Sequence, residues 1–267
     1  MIPSLPRDAS TGAAPALTGV LHKPGGAGPF PAIVTLHGCA GLFSADGKMA
    51  ARDAQWAEFL LKHGFVVLMM DSFGPRGVTN VRAQTAPVVD PQRDRQYDAY
   101  AALAYLRTLP FVRGDRVGIM GWSQGGATVL YVIDSQAAAR PAALPGGDFR
   151  AAVAFYPGWC NGKSHRSGWS SAIPLLALLG ASDNWTPAAP CRYFLEQAAR
   201  GGAEVEVVVY PGAYHDFDWP DMPLRAVTSV SIGRGGNPMV GTNPAASEDA
   251  HRRVLDYFER RLTTPTQ

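Results

Sequence analysis

The most telling residues are Gly121-Trp-Ser-Gln-Gly125, a serine framed by glycines in a GxSxG pattern. The apolar run Val117-Gly-Ile-Met120 precedes it, and a segment with helical spacing follows. A serine on a tight turn between strand and helix is held in a strained backbone, at a helix N-terminus whose dipole favours developing negative charge. Such a Ser123 is a candidate nucleophile. The plain alternative is a glycine-rich turn that only joins two elements. A hydroxyl needs a base to take its proton and a third group to orient that base.

Only His165, His215 and His251 follow Ser123. His251 lies in a terminal amphipathic segment and reads as part of a solvated face. His165 sits in a polar loop, 161–168, with no strand leading into it. His215 leaves an apolar strand through Pro211-Gly-Ala-Tyr-His215, where a base is needed, so it is the candidate base. Asp183 directly follows the strand ending at Gly180 and fits the order serine, acid, histidine. A helix-capping role for Asp183 is the alternative, and Asp216 and Asp218 are rivals by proximity. An oxyanion hole needs two backbone N–H donors. Gln124, after the nucleophile, supplies one, and Cys39 in the turn His37-Gly-Cys-Ala-Gly41 supplies the other. Cys39 as a nucleophile is a weaker alternative, because it has neither an elbow nor a mapped base.

These residues need a frame. The 267 residues are 46% hydrophobic and 17% charged, which excludes a disordered chain. A net charge of +2 without a Lys/Arg block excludes a basic face for nucleic acid. No apolar run reaches the ~20 residues of a membrane helix. Short apolar runs at 31–37, 65–71, 116–121, 149–156, 173–180 and 205–210 read as buried strands. Segments 50–63, 90–109, 124–134, 187–200 and 245–262 read as helices. The alternation predicts an α/β fold: a mostly parallel sheet covered on both faces, with its ligand site beyond the C-terminal strand ends. No internal repeat is present, and the length fits a single domain, 1–267, behind an extended segment, 1–19. Loops 72–91 and 217–244 are long, rich in Pro and Gly, and read as functional or mobile.

PAIVTLHGCAG (31–41), DSFGPR (71–76), VGIMGWSQGG (117–126), LALLGASD (176–183) and YPGAYHDF (210–217) together resemble the dienelactone hydrolase family of α/β-hydrolases. The resemblance spans nearly the whole chain. It implies an α/β-hydrolase fold with a sheet of about eight strands and no separate cap domain. It also implies hydrolysis of small-molecule carboxylic esters or lactones without a cofactor or metal. The founding enzymes carry a cysteine at the elbow and a glutamate in the oxyanion loop, where this chain has Ser123 and Gly38. That departure points to general ester hydrolysis by a Ser-His-Asp triad. An acyl-peptide or amide hydrolase, or a non-catalytic binding protein on the same fold, are the alternatives. The family holds substrate carboxylates with arginines, and Arg76 resembles one of these; a structural salt bridge is the other reading.

Phe73, Trp122, Trp159, Trp185, Tyr214, Phe217 and Trp219 crowd the predicted strand ends. Phe73, Trp122, Trp159 and Trp185 are the candidate walls of an aromatic cleft. Cys160 and Cys191 follow neighbouring strands, so a disulfide joining two site loops is geometrically open to them. The N-terminus has no apolar core of signal-peptide length. The chain therefore reads as cytoplasmic, or as a mature periplasmic or secreted form if the bridge exists.

Overall fold

A computed structural model describes residues 2, 16–82, 88–230 and 236–263. Most of the expected N-terminal segment, 1–19, and parts of both long loops lie outside the described residues. The strands are β1 (Thr18–His22), β2 (Phe30–Leu36), β3 (Val66–Asp71), β4 (Val112–Trp122), β5 (Ala151–Phe155), β6 (Leu175–Gly180) and β7 (Val205–Tyr210). They form one sheet in the order β1-β3-β2-β4-β5-β6-β7. All neighbours pair in parallel except β1, which runs antiparallel to β3 with Val20 opposite Met69.

The sheet thus has seven strands among the described residues, not about eight, and β1 is an element the periodicity does not announce. Its five residues, Thr-Gly-Val-Leu-His, are short and only partly buried at a sheet edge. Inside loop 217–244 a further ribbon pairs β8 (Arg225–Ala226) with β9 (Met239–Val240).

The helices are α1 (Ala51–Lys62), α2 (Gln96–Arg107), α3 (Gln124–Ile133), α4 (Ala188–Arg200) and α5 (Pro244–Phe258). The helix expected at 90–109 opens as a π-helical turn, Pro91–Arg95, capped by the Asp90 carboxylate on the N–H groups of Gln92 and Arg93. Strand alternation divides the core between two layers. Val117 and Ile119 of β4 face α2, α3 and α4, in a layer with Leu103, Val129 and Leu195. Met120 and Trp122 face α1 and α5, with Trp56, Val254 and Phe258. Each such side chain, when fully buried, contributes about 1.5–3 kcal/mol relative to exposure.

From β2 the chain moves to β3 on one side, and from β4 it moves to β5 on the other, so the winding reverses between β2 and β4. A parallel sheet opens a crevice beyond its C-terminal strand ends at such a switch point. The loop after β2 and the turn after β4 meet there.

Candidate active site

Ser123 occupies that turn. Its backbone is at φ 53°, ψ −110°, and it stands at the N-cap position of α3 with no capping hydrogen bond from its hydroxyl. Its N–H is held by the Phe155 carbonyl at 3.0 Å. The next turn must be glycine: a Cβ on Gly125 would stand 2.0 Å from the Leu36 oxygen and 2.7 Å from that of His37. This close approach brings the end of β2 against the start of α3 and sets Cys39 near Gln124. Tyr156, Trp159 and Asp216 also hold left-handed backbones around the site. Strain of this kind persists where surrounding contacts over-determine the geometry.

The loop after β2 is fixed by a buried imidazole. The Ser72 N–H donates to His37 Nε2 at 3.2 Å, so Nε2 is the unprotonated nitrogen. Nδ1–H then donates to the Gly38 carbonyl at 2.8 Å. Burial, and after it the nearby Arg95, holds His37 well below its ordinary pKa, so the ring stays neutral. Burial pushes the Cys39 thiol up to about 11. A thiol in that state is a poor nucleophile at neutral pH.

His215 is buried, and its Nδ1 lies 2.7 Å from Asp183 Oδ2. Burial opposes its protonation, but the Asp183 carboxylate, its hydrogen bond and the nearby Asp216 outweigh this and raise the pKa. Asp183 is itself held: Trp185 N–H and Thr186 N–H donate to Oδ1 at 2.8 Å each. The Thr186 hydroxyl lies 2.8 Å from Oδ2 and 3.0 Å from His215 Nδ1. No hydrogen bond joins Ser123 Oγ to His215 Nε2, and nucleophile–base contacts of this kind commonly tighten only in the complex with substrate.

The rival carboxylates are occupied elsewhere. Asp216 Oδ1 accepts from Arg52 Nη1 at 3.1 Å. Asp218, fully buried, accepts the Trp56 and Trp122 indole N–H groups at 2.8 Å each and the Tyr156 hydroxyl at 2.6 Å.

A cavity of about 240 Å³ opens over Ser123, lined by Cys39, Val81, Arg82, Gln124, Gly158, Trp159, Trp185 and Thr186. Trp159 and Trp185 are thus among its lining residues. Phe73 and Trp122 are not. Phe73 is buried with its ring edge-on to His37, and Trp122 lies in the core on the Met120 side of β4. Strand alternation, carried two residues beyond Met120, places Trp122 inside. Arg76 also departs from expectation. It clamps Asp98 with two hydrogen bonds of 2.7 and 2.8 Å and donates to the Ser72 carbonyl. Its guanidinium is a structural bridge, and Arg82 is the arginine at the cavity. Arg82 lies in an aperiodic loop, where no sequence signal distinguishes it from Arg76. The sulfur atoms of Cys160 and Cys191 lie 2.09 Å apart, with Cα atoms 4.6 Å apart, next to Trp159 on the rim. Among the described residues no group of His, Cys, Asp and Glu side chains is placed to hold a metal ion. No described helix is long and apolar enough to cross a membrane.

Comparison with known proteins follows the same lines. The chain is 29% identical over 171 residues to a Bradyrhizobium sp protein, "Probable 2-oxo-3-(5-oxofuran-2-ylidene)propanoate lactonase"; the match spans 59% of this chain and 64% of that relative. Its fold is similar to that of a dienelactone hydrolase-like promiscuous phosphotriesterase from metagenomic libraries (TM-score 0.69, 22% identity, 93% and 94% of the two chains). It is also similar to Thermogutta terrifontis esterase 2 (TM-score 0.63, 19% identity, 94% and 92% of the chains). The model of the dienelactone hydrolase family matches residues 17–262, from the first strand of the sheet to the last helical turn. With that span covered, the chain belongs to the dienelactone hydrolase family.

Proposed function

We propose that this chain, acting as one domain, hydrolyses carboxylic esters or lactones through an acyl-enzyme on Ser123. The observation that carries the reading is the serine on its strained elbow, opening into a cavity whose walls Trp185 and Thr186 lie against the bonded His215–Asp183 pair. His215 Nε2 takes the Ser123 proton as Oγ attacks the carbonyl carbon. Asp183 holds Nδ1–H, so the lone pair stays on Nε2 and the imidazolium that forms is stabilised. The oxyanion is received by the N–H groups of Gln124 and Cys39. His215 then returns its proton to the leaving alkoxide, and water repeats the sequence on the acyl-enzyme.

The cavity supports small substrates. Trp159 and Trp185 offer flat apolar walls for an aryl or short acyl group, and Arg82 adds a cation for a polar or anionic substituent. The reading is tested with p-nitrophenyl acetate and butyrate beside a small panel of lactones. Ser123→Ala should lower kcat about 10⁴-fold or more while the fold is retained. Unchanged turnover in that variant would sink the proposal.

A further inference from the structure

Arg95 ends the π-helical turn before α2, and its side chain is fully buried. Nη2 donates to the His37 carbonyl at 2.8 Å, and Nη1 donates to Gln124 Oε1 at 3.0 Å. The Gln124 amide passes the contact on, donating from Nε2 to the Val89 carbonyl at 3.0 Å. Arg95 Nε has no partner. No carboxylate pairs with this guanidinium among the described residues; Asp98 acts on it only through space, its own oxygens being engaged by Arg76. Burial draws the Arg95 pKa down to about 10, which leaves the group charged at neutral pH.

A cation buried without a paired carboxylate is costly, and removing it from water is not offset by its two neutral acceptors alone. Its placement gives it a use. The two residues it grips are the two walls of the proposed oxyanion hole. His37 precedes the Cys39 donor by two residues, and Gln124 is the other donor. Negative charge that appears between these N–H groups during attack develops in a low-dielectric interior, where a fixed cation acts strongly.

We propose that Arg95 is a positioning residue for the oxyanion hole, clamping the His37 and Gln124 walls and holding a fixed positive charge behind them. It favours the tetrahedral oxyanion over the planar ester. Asp183 faces the imidazolium that forms at the same moment, so each new charge meets a fixed opposite one. The inference rests on the serine esterase reading above.

A matched pair of ketones tests it. Ser123 Oγ adds to the carbonyl carbon of 2,2,2-trifluoroacetophenone, its proton passes to His215 Nε2, and the ketone oxygen becomes the oxyanion. Acetophenone fills the same space and stays planar. Binding of both is read by quenching of Trp159 and Trp185 fluorescence, beside kcat and KM on p-nitrophenyl butyrate. Arg95→Met should weaken trifluoroacetophenone binding 10- to 100-fold and acetophenone binding less than threefold, with kcat falling and KM nearly constant. Arg95→Lys, which keeps the charge on one arm, should recover part of the loss. If the folded Met variant binds trifluoroacetophenone within threefold of wild type, or loses both ketones alike, the proposal is overturned. Should Arg95→Met fail to fold, Arg95→Lys decides: a selective loss of the trifluoroketone supports the role, and an equal change in both overturns it. Ser123→Ala separates the two levels. It should bind both ketones equally and lose turnover; retained turnover would overturn the esterase reading whatever Arg95 does.

Discussion

Thr186 carries one hydroxyl proton and has two acceptors for it, with His215 Nδ1–H as a third neighbour. Oγ1 lies 2.8 Å from Asp183 Oδ2, 3.0 Å from His215 Nδ1 and 3.1 Å from the Tyr156 carbonyl. Donated to Oδ2, that proton competes with His215 Nδ1–H for the same oxygen and weakens its hold on an imidazolium. Thr186→Val frees the oxygen, so the His215 pKa should rise further. A base works only when neutral, so the acid limb of kcat/KM should move to higher pH. Asp216 and Arg52, the other charges acting on His215, remain in place and keep their opposing effects. Plateau kcat should fall a few-fold as the ring loses a contact, and Thr186→Ser should restore both values. A pH profile that does not move in the Val variant would remove Thr186 from the proton path. Thr186 was illegible in the sequence because its role depends on a turn folding back on Asp183. The bonded Asp183–His215 pair was legible, since each residue follows a strand end in an order that the elbow at Ser123 anticipates. Arg76 shows the opposite case. Two arginines six residues apart in an aperiodic loop differ only in tertiary partner, and Asp98, on a separate helix, claims one of them.

Asp218 is where the elements are joined. Its carboxylate receives Trp56 from α1, Trp122 from the end of β4 and Tyr156 from the turn after β5, and it lies three residues beyond His215. One side chain thus ties the elbow, the turn after β5 and the His215 loop to a helix on the sheet face. The neighbouring Arg52 guanidinium, stacked over the Trp122 and Trp219 rings, reinforces the same junction. Asp218→Ala would strand three buried donors, each costing about 1–3 kcal/mol when left unsatisfied. Urea unfolding of that variant should show a loss of at least 3 kcal/mol, and Trp56→Phe, which removes one donor and leaves the others satisfied, about 1 kcal/mol. An Asp218→Ala midpoint equal to wild type would contradict the junction. The strands and helices that meet here could be read from apolar periodicity, because burial on both faces leaves uninterrupted runs. The junction could not, because a buried aspartate and an exposed one look alike in a loop. The edge strand β1 escaped for a related reason: it is too short and too exposed to impose a pattern.

The sheet carries its site on loops, and the rim of that site is held by one cross-link. Cys160 follows β5 beside the cavity wall Trp159, and Cys191 lies in the first turns of α4, after the loop that holds Asp183 and Thr186. The bridge therefore fastens the aromatic wall to the connection that carries Asp183. Closing a loop of 31 residues in sequence separation restricts the unfolded chain by about 3–4 kcal/mol in the entropic account. In a chain of this size that corresponds to a Tm lowered by roughly 6–12 °C in Cys191→Ser. Thiol titration of the denatured, unreduced protein should count one free cysteine, Cys39, and three after reduction. Three thiols before reduction would show that the bridge does not form, and Cys191→Ser should then melt at the wild-type temperature apart from any packing change. Because Trp159 adjoins the bridge, loss of the cross-link should raise KM for aryl esters more than it lowers kcat: the wall loosens, while His37, Gln124 and the buried Arg95 behind the proposed oxyanion hole stay in place.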